Sequence, residues 1–288
     1  MAELAPGVVH DGRRFGEDHS AAYRLLGRLE PGLCLDVGAA IGRMTEIMLA
    51  SCPGSRIVAY EPFPGNLRLL TKAYCDRADV TLRPVAAADR AGKEVFSVSG
   101  IVGRNAPDWA RSTLGYSPLG HLGKSSKAAA TMQVETVRLD DEIREHVRFL
   151  KIDVQGSELR VLKGATGLID AFGIDLIYVE FNGSLEILKF LGARNYVVFD
   201  CAYVAWPIRR HFRNWFRRPS ARVLPGWPSV GVAQRAMGAD AAMVWPRVPA
   251  RAFALYCAWF FLTRLLRCGL QTDLLCVHRD VLDKVLAA

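Results

Sequence analysis

Residues 33–42 read LCLDVGAAIG, an apolar run that ends in a turn with two glycines, Gly38 and Gly42. The apolar run is typical of a buried strand. After it, apolar residues recur at helical spacing, namely Ile41, Met44, Ile47 and Met48. A strand, a glycine turn and a helix together form a ligand cradle. Glycine lets the backbone come close to a ligand, and the helix N-terminus offers free N–H groups to an anion.

A second apolar run, Ile57–Tyr60, follows about 20 residues after the first, at the distance typical of nucleoside-binding folds, and ends in Glu61. A carboxylate in this position lies at the tip of the neighbouring strand, where it accepts hydrogen bonds from ribose hydroxyls. Glycines alone are equally typical of a tight turn in an ordinary α/β domain. The glycines and Glu61 together predict a nucleoside cofactor.

The glycine spacing favours a methyl donor over a dinucleotide. A dinucleotide site has the pattern Gly-x-Gly-x-x-Gly, which admits a pyrophosphate, whereas this chain has only Gly38-x-x-x-Gly42. Asp36, two residues before the first glycine, is expected to repel a pyrophosphate and to attract a cation. S-adenosylmethionine carries a sulfonium and an ammonium, and its carboxylate suits a helix N-terminus. We therefore expect S-adenosylmethionine as the cofactor.

The composition is that of a globular protein. A chain of 288 residues, of which 51% are hydrophobic, can bury one substantial core. Its seven cysteines are scattered along the chain, so the sequence predicts neither a zinc knuckle nor the disulfide framework of a secreted protein. Residues 1–26 lack the apolar segment of a signal peptide. These features favour the reducing cytoplasm.

The net charge of +8 is concentrated in one segment. Between Cys201 and Thr272 the chain has eleven arginines, no lysine and one acidic residue, so this segment carries +10 and the rest of the chain −2. The same segment contains five of the six tryptophans. We interpret residues 205–270 as a basic, aromatic insert before the last strand of a nearly neutral domain.

The other predicted boundaries follow from the alternation of strands and helices. Residues 1–30 are interpreted as a lead-in, 31–204 as the core, and 271–288 as the last strand and the C-terminal tail. Within the core, residues 93–139 interrupt the rhythm with two alternating segments around a Gly- and Ser-rich loop. A loop of this length is typical of a flexible substrate loop. His121 in this loop is a candidate base, and a merely solvated histidine is the alternative.

A third strand is predicted from Val80 to the small residues Ala86–Ala88. The end of this strand lies beside the adenine in nucleoside-binding α/β folds, and a small side chain such as Ala87 leaves room for the ring. Close packing of these alanines against a helix is the alternative interpretation.

Two further carboxylates end neighbouring predicted strands. Asp153 ends the predicted strand 148–153, and Glu180 lies near the end of the predicted strand 174–181. Open α/β sheets bind ligands at the carboxyl ends of their strands. A pair of this kind serves either to abstract a proton or to hold a divalent cation. Alternatively, Asp153 and Glu158 complement the start of the helix that follows.

Five motifs along residues 33–200 carry a family resemblance. They are DVGAAIG at 36–42, EPFPGNLRLL at 61–70, LDD at 139–141, KIDVQGSELRVLKGA at 151–165 and VE at 179–180. The set resembles the FkbM-type S-adenosylmethionine-dependent methyltransferases, and the run at 151–165 is its most specific part. The family commonly has Asn where this chain has Ala40.

This resemblance implies an α/β class I methyltransferase fold. Such a fold is a Rossmann-like three-layer sandwich with a mixed seven-stranded sheet. The family usually methylates a hydroxyl oxygen on a sugar or natural product, and the same acceptors are therefore expected here.

The candidate site residues lie along the predicted ligand edge of the sheet. The cofactor-binding candidates are Asp36, Gly38, Ala39, Ile41, Gly42, Thr45, Glu61, Pro62, Ala87 and Asp153. The catalytic candidates are Asp153, Glu180 and His121. An alcohol is a poor nucleophile until its proton is removed, and we hypothesise that Asp153 removes it. A divalent cation held by Asp153 and Glu180 is the alternative.

The insert predicts an anionic partner. Residues 209–218 interleave arginines with aromatic residues, and the apolar run Ala252–Leu262 is too short to span a bilayer, which needs about 20 residues. The pattern favours peripheral contact with an anionic membrane at its inner face, or binding of a small-molecule, glycan or lipid-linked acceptor. A cap with an aromatic core and solvated arginines is the alternative.

Two other classes of function stay open at this point. The arginine and aromatic residues of the insert also suit an RNA methyltransferase, because stacking and phosphate contacts bind RNA. The chain lacks an Asn-Pro-Pro-Tyr base-methylation motif, so nucleic acid is the less favoured partner. The second class is a non-catalytic binding module, against which Asp36, Glu61 and Asp153 argue.

Overall fold

The computed structural model describes residues 22–23, 25–98, 120–125, 130–201, 247–265 and 272–286. Most of the lead-in, much of the substrate loop and residues 202–246 of the insert lie outside the described residues. The arginine and aromatic run at 209–218 is among them. The division into 1–30, 31–204, 205–270 and 271–288 therefore stays a prediction.

The described strands build a large and a small sheet. The strands are β1 Leu33–Val37, β2 Arg56–Tyr60, β3 Val80–Arg83, β4 Ala86–Ala87, β5 Gly92–Val98, β6 Gly120–Leu122, β7 Ala130–Val137, β8 Val147–Ile152, β9 Ile174–Phe181, β10 Tyr196–Asp200, β11 Arg247–Val248 and β12 Thr272–His278. The large sheet has the order β11-β10-β12-β9-β8-β1-β2-β3. Strands β3, β2, β1, β8 and β9 are parallel, and β12 runs antiparallel to both β9 and β10.

The large sheet has eight strands in the part of the chain that is described, one more than the seven predicted. The additional strand is β11, which pairs with Val198 and Phe199 at the edge of the sheet. It belongs to the predicted insert and consists of only two residues, so it is too short to show an alternating pattern in the sequence. The predicted mixed sheet is otherwise confirmed.

Helices cover both faces of the large sheet. They are α1 Arg43–Ser51, α2 Pro64–Tyr74, α3 Leu139–Glu142, α4 Glu158–Gly164, α5 Thr166–Ala171, α6 Leu185–Gly192, α7 Phe253–Leu265 and α8 Arg279–Leu286. Residues of α1, α2 and α8 share one apolar core, and residues of α3 to α7 share the other. The central strands are therefore buried on both faces, as parallel strands usually are. The predicted three-layer α/β sandwich is confirmed.

The small sheet has the order β4-β7-β5-β6 and corrects two predictions. The predicted third strand ends at Arg83 instead of continuing through Ala88, because Pro84 has no N–H to donate to the ladder. Ala86 and Ala87 pair with β7 instead. The predicted hairpin around the substrate loop is present, but Gly120–Leu122 is a strand paired with β5 rather than part of a flexible loop.

Candidate active site

The glycine turn after β1 is shaped by the chain that surrounds it. Gly38 has a φ of 80°, and a Cβ added to it would lie 1.9 Å from the carbonyl oxygen of Asp153. Gly42 has a φ of 88°, and an added Cβ would lie 2.6 Å from the ring of Tyr74. Both positions thus need glycine for backbone conformation and packing, in addition to any need for close approach of a ligand.

Asp36 is fully buried beneath this turn and is held by two partners. Its carboxylate lies 3.0 Å from the Lys151 Nζ and accepts a hydrogen bond of 2.6 Å from the hydroxyl of Thr45. Lys151 also donates to the carbonyl oxygen of Gly38, at 2.6 Å. Burial lowers the pKa of Lys151, but the charges of Asp36 and Asp153 outweigh this effect and the pKa is raised. Lys151 is therefore charged.

This geometry does not support the role that the sequence analysis gave to Asp36 in the choice of a cationic ligand. The sequence analysis assigned the attraction of a cation to Asp36, but Asp36 faces Lys151 and does not line the cavity at this edge. The carboxylates that do line the cavity are Glu61 and Asp153. Asp36 and Thr45 thus support the glycine turn from below.

Glu61 follows β2 and is buried at the cavity wall. Its Oε2 accepts a hydrogen bond from the N–H of Ala40 and its Oε1 one from the N–H of Phe63, each at 2.8 Å. Burial raises the pKa of Glu61 to about 7, although these bonds, the amide of Asn66 and the charge of Lys151 oppose the rise. The carboxyl group therefore titrates near neutral pH.

The cavity lies between the edge of the large sheet and the small sheet. Of the predicted cofactor-binding residues, Gly38, Ala39, Ile41, Glu61, Pro62, Ala87 and Asp153 line it, whereas Asp36, Gly42 and Thr45 do not. Arg43 and Met44, the first two residues of α1, also line it, so the N-terminus of this helix is at the cavity. Ala87 lines the cavity, while the neighbouring Ala88 packs closely on Gly164 of α4. Ala88 therefore packs as the alternative interpretation expects, and room for an adenine ring beside Ala87 stays a prediction.

Asp153 is connected to Glu180 through Gln155. The Nε2 of Gln155 donates to the Oδ1 of Asp153 at 2.8 Å and to the Oε2 of Glu180 at 3.0 Å. Gln155 has a φ of 56°, a left-handed conformation that is uncommon for a residue other than glycine. Asp153 and Gln155 line the cavity, whereas Glu180 is not among its lining residues.

The side-chain amide of Gln155 lies between Asp153 and Glu180, where the predicted divalent cation would bind. It donates a hydrogen bond to each of the two carboxylates. Within the described ranges, no group of three or more His, Cys, Asp or Glu side chains is arranged to hold a metal ion. Among the described residues, Asp153 and Glu180 thus have no third ligand of these types beside them, and Gln155 already bridges the pair.

Each carboxylate oxygen of Glu158 accepts a hydrogen bond from a neighbouring loop. Its Oε1 accepts from the N–H of Gly156 at 2.7 Å, and its Oε2 accepts from the Nδ2 of Asn182 at 3.3 Å. Burial raises its pKa. Glu158 thus ties the loop after β8 to the loop after β9.

His121 lies on β6 and is separated from the cavity by strand alternation. Its neighbours Gly120 and Leu122 line the cavity together with Phe96 of β5, whereas His121 does not. Successive side chains of a strand point to opposite faces, which explains this difference. The structure thus brings Glu61 and Asp153 to one cavity and places His121 outside it.

Sequence reasoning missed several residues of this site, and four of them show why. Lys151 could have been found, because Asp36 is the charged residue of a buried strand, Lys151 lies opposite it in the neighbouring strand, and buried charges are paired. Phe96 and Leu122 come from the inserted hairpin, whose packing against the core has no local signal. Gln155 was missed because its bridge depends on a left-handed backbone.

Comparison with known proteins places the chain in a family. The model of the Methyltransferase FkbM domain matches residues 36–198, more than half of the chain. No curated protein matches the chain.

Solved structures of methyltransferases are similar to the chain at low identity. A methyltransferase FkbM from Methylobacillus flagellatus KT shares 20% identity, with a TM-score of 0.41, over 60% of this chain and 40% of its own length. A SAM-dependent methyltransferase from Thiobacillus denitrificans, in complex with S-adenosyl-L-homocysteine, shares 12% over 94% of each chain, with a TM-score of 0.36. The StiE O-MT shares 10% over 91% of this chain and 73% of its own, with a TM-score of 0.40.

The chain spans less than half the length of the first of these structures. The family model, in contrast, begins at Asp36 below the glycine turn and includes Glu61, Asp153 and Glu180. With its α/β class I methyltransferase fold, the chain therefore belongs to the FkbM methyltransferase family.

Proposed function

We propose that this chain is an S-adenosylmethionine-dependent O-methyltransferase that acts on a hydroxyl of a sugar, glycan or other natural product. The observation that carries the proposal is that Glu61 and Asp153 line one cavity, with the glycine turn and the start of α1 at the same wall. In this proposal, Glu61 binds the methyl donor and Asp153 accepts the proton of the acceptor hydroxyl, and one cavity brings the two carboxylates together.

The cavity fits the chemical groups of the donor. Glu61 suits the ribose hydroxyls, since its two oxygens have about four lone pairs and accept from two backbone N–H groups and the amide of Asn66. The small side chains of Ala86 and Ala87 leave space for a flat ring. The N-terminus of α1, at Arg43 and Met44, suits the donor carboxylate.

The chain's own residues then supply the remaining requirements of methyl transfer. S-adenosylmethionine, when bound, supplies a methyl carbon that its sulfonium has already activated. In this proposal, Asp153 removes the proton of the acceptor hydroxyl. Gln155 fixes Asp153 through Oδ1. Phe96 and Leu122 provide an apolar wall that excludes water from the reacting groups.

Binding and turnover measured separately test the proposal. We expect S-adenosylhomocysteine to bind the purified full-length chain in calorimetry, and Glu61→Ala to weaken this binding. Asp283→Ala, which removes an exposed carboxylate on α8, is the control and should bind as the wild type does. Folded protein that gives no heat with S-adenosylhomocysteine contradicts the proposal.

The acceptor class is tested with labelled methyl groups. We expect transfer from S-adenosylmethionine to a glycan or small-molecule fraction, with the label stable as a methyl ether. Label in an RNA fraction alone overturns the proposed acceptor in favour of a nucleic acid. Binding without transfer to any fraction favours a non-catalytic module. The cytoplasmic location predicted from the sequence stays a prediction.

A further inference from the structure

Helix α7 is apolar around its whole circumference. Its inner face, formed by Phe253, Tyr256, Cys257 and Phe260, is buried in the core. The rings of Tyr256 and Phe260 lie 5.5 Å and 5.3 Å from the ring of Phe181 at the end of β9. These contacts hold the helix against the protein and bury four of its apolar residues.

The opposite face of α7 forms an exposed apolar stripe. The outer stripe of α7 comprises Ala254, Leu255, Ala258, Phe261 and Leu262, which recur at the three- and four-residue spacing of one helix face and are all exposed. Leu255, Phe261 and Leu262 are 47%, 54% and 45% exposed. A helix that is apolar all round is normally buried on every side. The outer stripe therefore indicates a partner outside the chain's own core.

The stripe leads to the edge of the sheet that holds the candidate active site. An added Cβ on Gly192, at the end of α6, would meet the ring of Phe253 at 2.9 Å. An added Cβ on Gly183, just before α6, would meet the ring of Phe260 at 2.8 Å. Helix α7 thus runs antiparallel to α6, and Phe261 and Leu262 lie at the end near Glu180.

The charge of this part of the chain selects the kind of partner. Arg251, one turn before the stripe, is exposed, and the sequence from Cys201 to Thr272 carries +10. The neighbouring helix α6 exposes Glu186 and Lys189, whose charges cancel. A second copy of the chain would bring two exposed Arg251 side chains and two molecules of net charge +8 together, which is unfavourable. Anionic lipid headgroups, in contrast, attract each arginine near the surface.

We propose that the outer stripe of α7 docks the protein on an anionic membrane surface. The stripe from Leu255 to Leu262 is about 10 Å long at the helical rise of 1.5 Å per residue. It therefore lies in the plane of the interface, with its apolar side chains among the headgroups and upper acyl chains. Among the helices described, none has the length and apolarity that crossing a membrane requires. Docking brings the edge with Asp153 and Glu180 close to the lipid surface.

Sedimentation with vesicles tests this proposal without donor or acceptor, so its outcome is independent of the proposed activity. The full-length chain is mixed with vesicles of phosphatidylglycerol and phosphatidylcholine in equal parts, and with vesicles of phosphatidylcholine alone. We expect sedimentation with the anionic vesicles only, and weaker sedimentation at higher salt because salt screens the arginines.

Substitutions in the stripe identify the docking surface. Phe261→Ser/Leu262→Ser should lower the partition coefficient by about tenfold or more, since both side chains lose their apolar burial in the membrane. Leu255→Ser should lower it less. Phe172→Ser is the matched control, because Phe172 is also exposed, at 39%, but lies at the end of α5. Each variant is first shown to melt as the wild type does.

Three results would overturn the proposal. The first is a wild-type chain that does not sediment with anionic vesicles at low salt, and the second is a double variant that sediments as the wild type does. The third is a dimer, detected by light scattering without vesicles, that Phe261→Ser/Leu262→Ser dissociates. This last result assigns the stripe to a second copy of the chain.

Discussion

The wall of the cavity and the end of the outer stripe at Phe261 and Leu262 lie at the same edge of the large sheet. Both regions depart from the usual placement of residues. Below the cavity the chain buries charged side chains, namely Asp36, Lys151 and Glu61. On α7 it exposes large apolar side chains, namely Leu255, Phe261 and Leu262. Charged residues are almost never fully buried unless paired, and exposed apolar patches mark interaction sites.

The two departures differ in how they are compensated. Asp36 is paired with Lys151 and Thr45, and Glu61 accepts hydrogen bonds from two backbone N–H groups. The cavity wall is therefore complete without another molecule and keeps a fixed shape for a ligand. The stripe has a large apolar area that the described residues leave exposed. Buried charges that are paired within the chain thus indicate a role in supporting the cavity. Exposed apolar side chains without such contacts indicate a role at the surface.

Asp153 gives the largest expected effect at the cavity. Asp153→Ala should lower kcat by about 100- to 10,000-fold, the usual range for a lost general base. Binding of S-adenosylhomocysteine should stay within a few-fold of the wild type, because the glycine turn and Glu61 are unchanged. Asp153→Asn, which keeps the size of the side chain, should be nearly as inactive. Normal turnover in either variant would show that Asp153 is not the base.

Lys151 tests whether the buried charges are compensated within the chain. Lys151→Met leaves the buried carboxylate of Asp36 without its cation, and should lower the free energy of unfolding by about 3–5 kcal/mol in urea denaturation. Asp36→Leu/Lys151→Met removes both charges, and we expect it to recover much of this loss. A single variant that unfolds as the wild type does would contradict the pairing.

Phe260 and Phe261 compare the two faces of α7 with the same substitution. Phe260 is 3% exposed and packs on Phe181, so Phe260→Ala should lower the free energy of unfolding by about 3–5 kcal/mol. Phe261 is 54% exposed, so Phe261→Ala should change it by less than about 0.5 kcal/mol. Equal losses in both variants would show that the outer stripe is packed against the protein.

The large sheet was predictable where a strand is apolar throughout or ends in a glycine turn. Leu33–Val37 is buried at every residue, and the turn after it keeps left-handed glycines at 38 and 42. The end of the third strand was mispredicted because the alanines after Pro84 suit either sheet, and only the pairing with β7 decides between them.

The site was predictable at positions that the backbone dictates, and less so where side chains interact. Glu61 and Asp153 follow their strands directly, so the fold alone brings them to one edge. The partner of Asp36 depends on its register with Lys151 in β8, which needs the strand order. Whether these residues bind the donor stays a prediction.

Glu61 gives an effect on stability that depends on pH and is small within any one pH unit. In the folded protein its pKa is about 7, whereas an exposed Glu has a pKa of about 4.3. Between these values the folded state keeps a proton that the unfolded state has lost. The free energy of unfolding should therefore decrease as the pH rises from about 4.3 to 7, by up to about 1.4 kcal/mol per pH unit. In urea denaturation Glu61→Gln should lack this decrease.

The same group should couple donor binding to proton release. Ribose hydroxyls that donate hydrogen bonds to Glu61 stabilise its carboxylate form and lower its pKa. Binding of S-adenosylhomocysteine should therefore strengthen as the pH rises towards 7, by up to about tenfold per pH unit, and level off above it. Calorimetry in buffers of different ionisation enthalpy should show proton release near pH 6 from the wild type and none from Glu61→Gln. Affinity that is independent of pH in the wild type would show that the ribose does not contact Glu61, and would separate this buried carboxylate from the donor site.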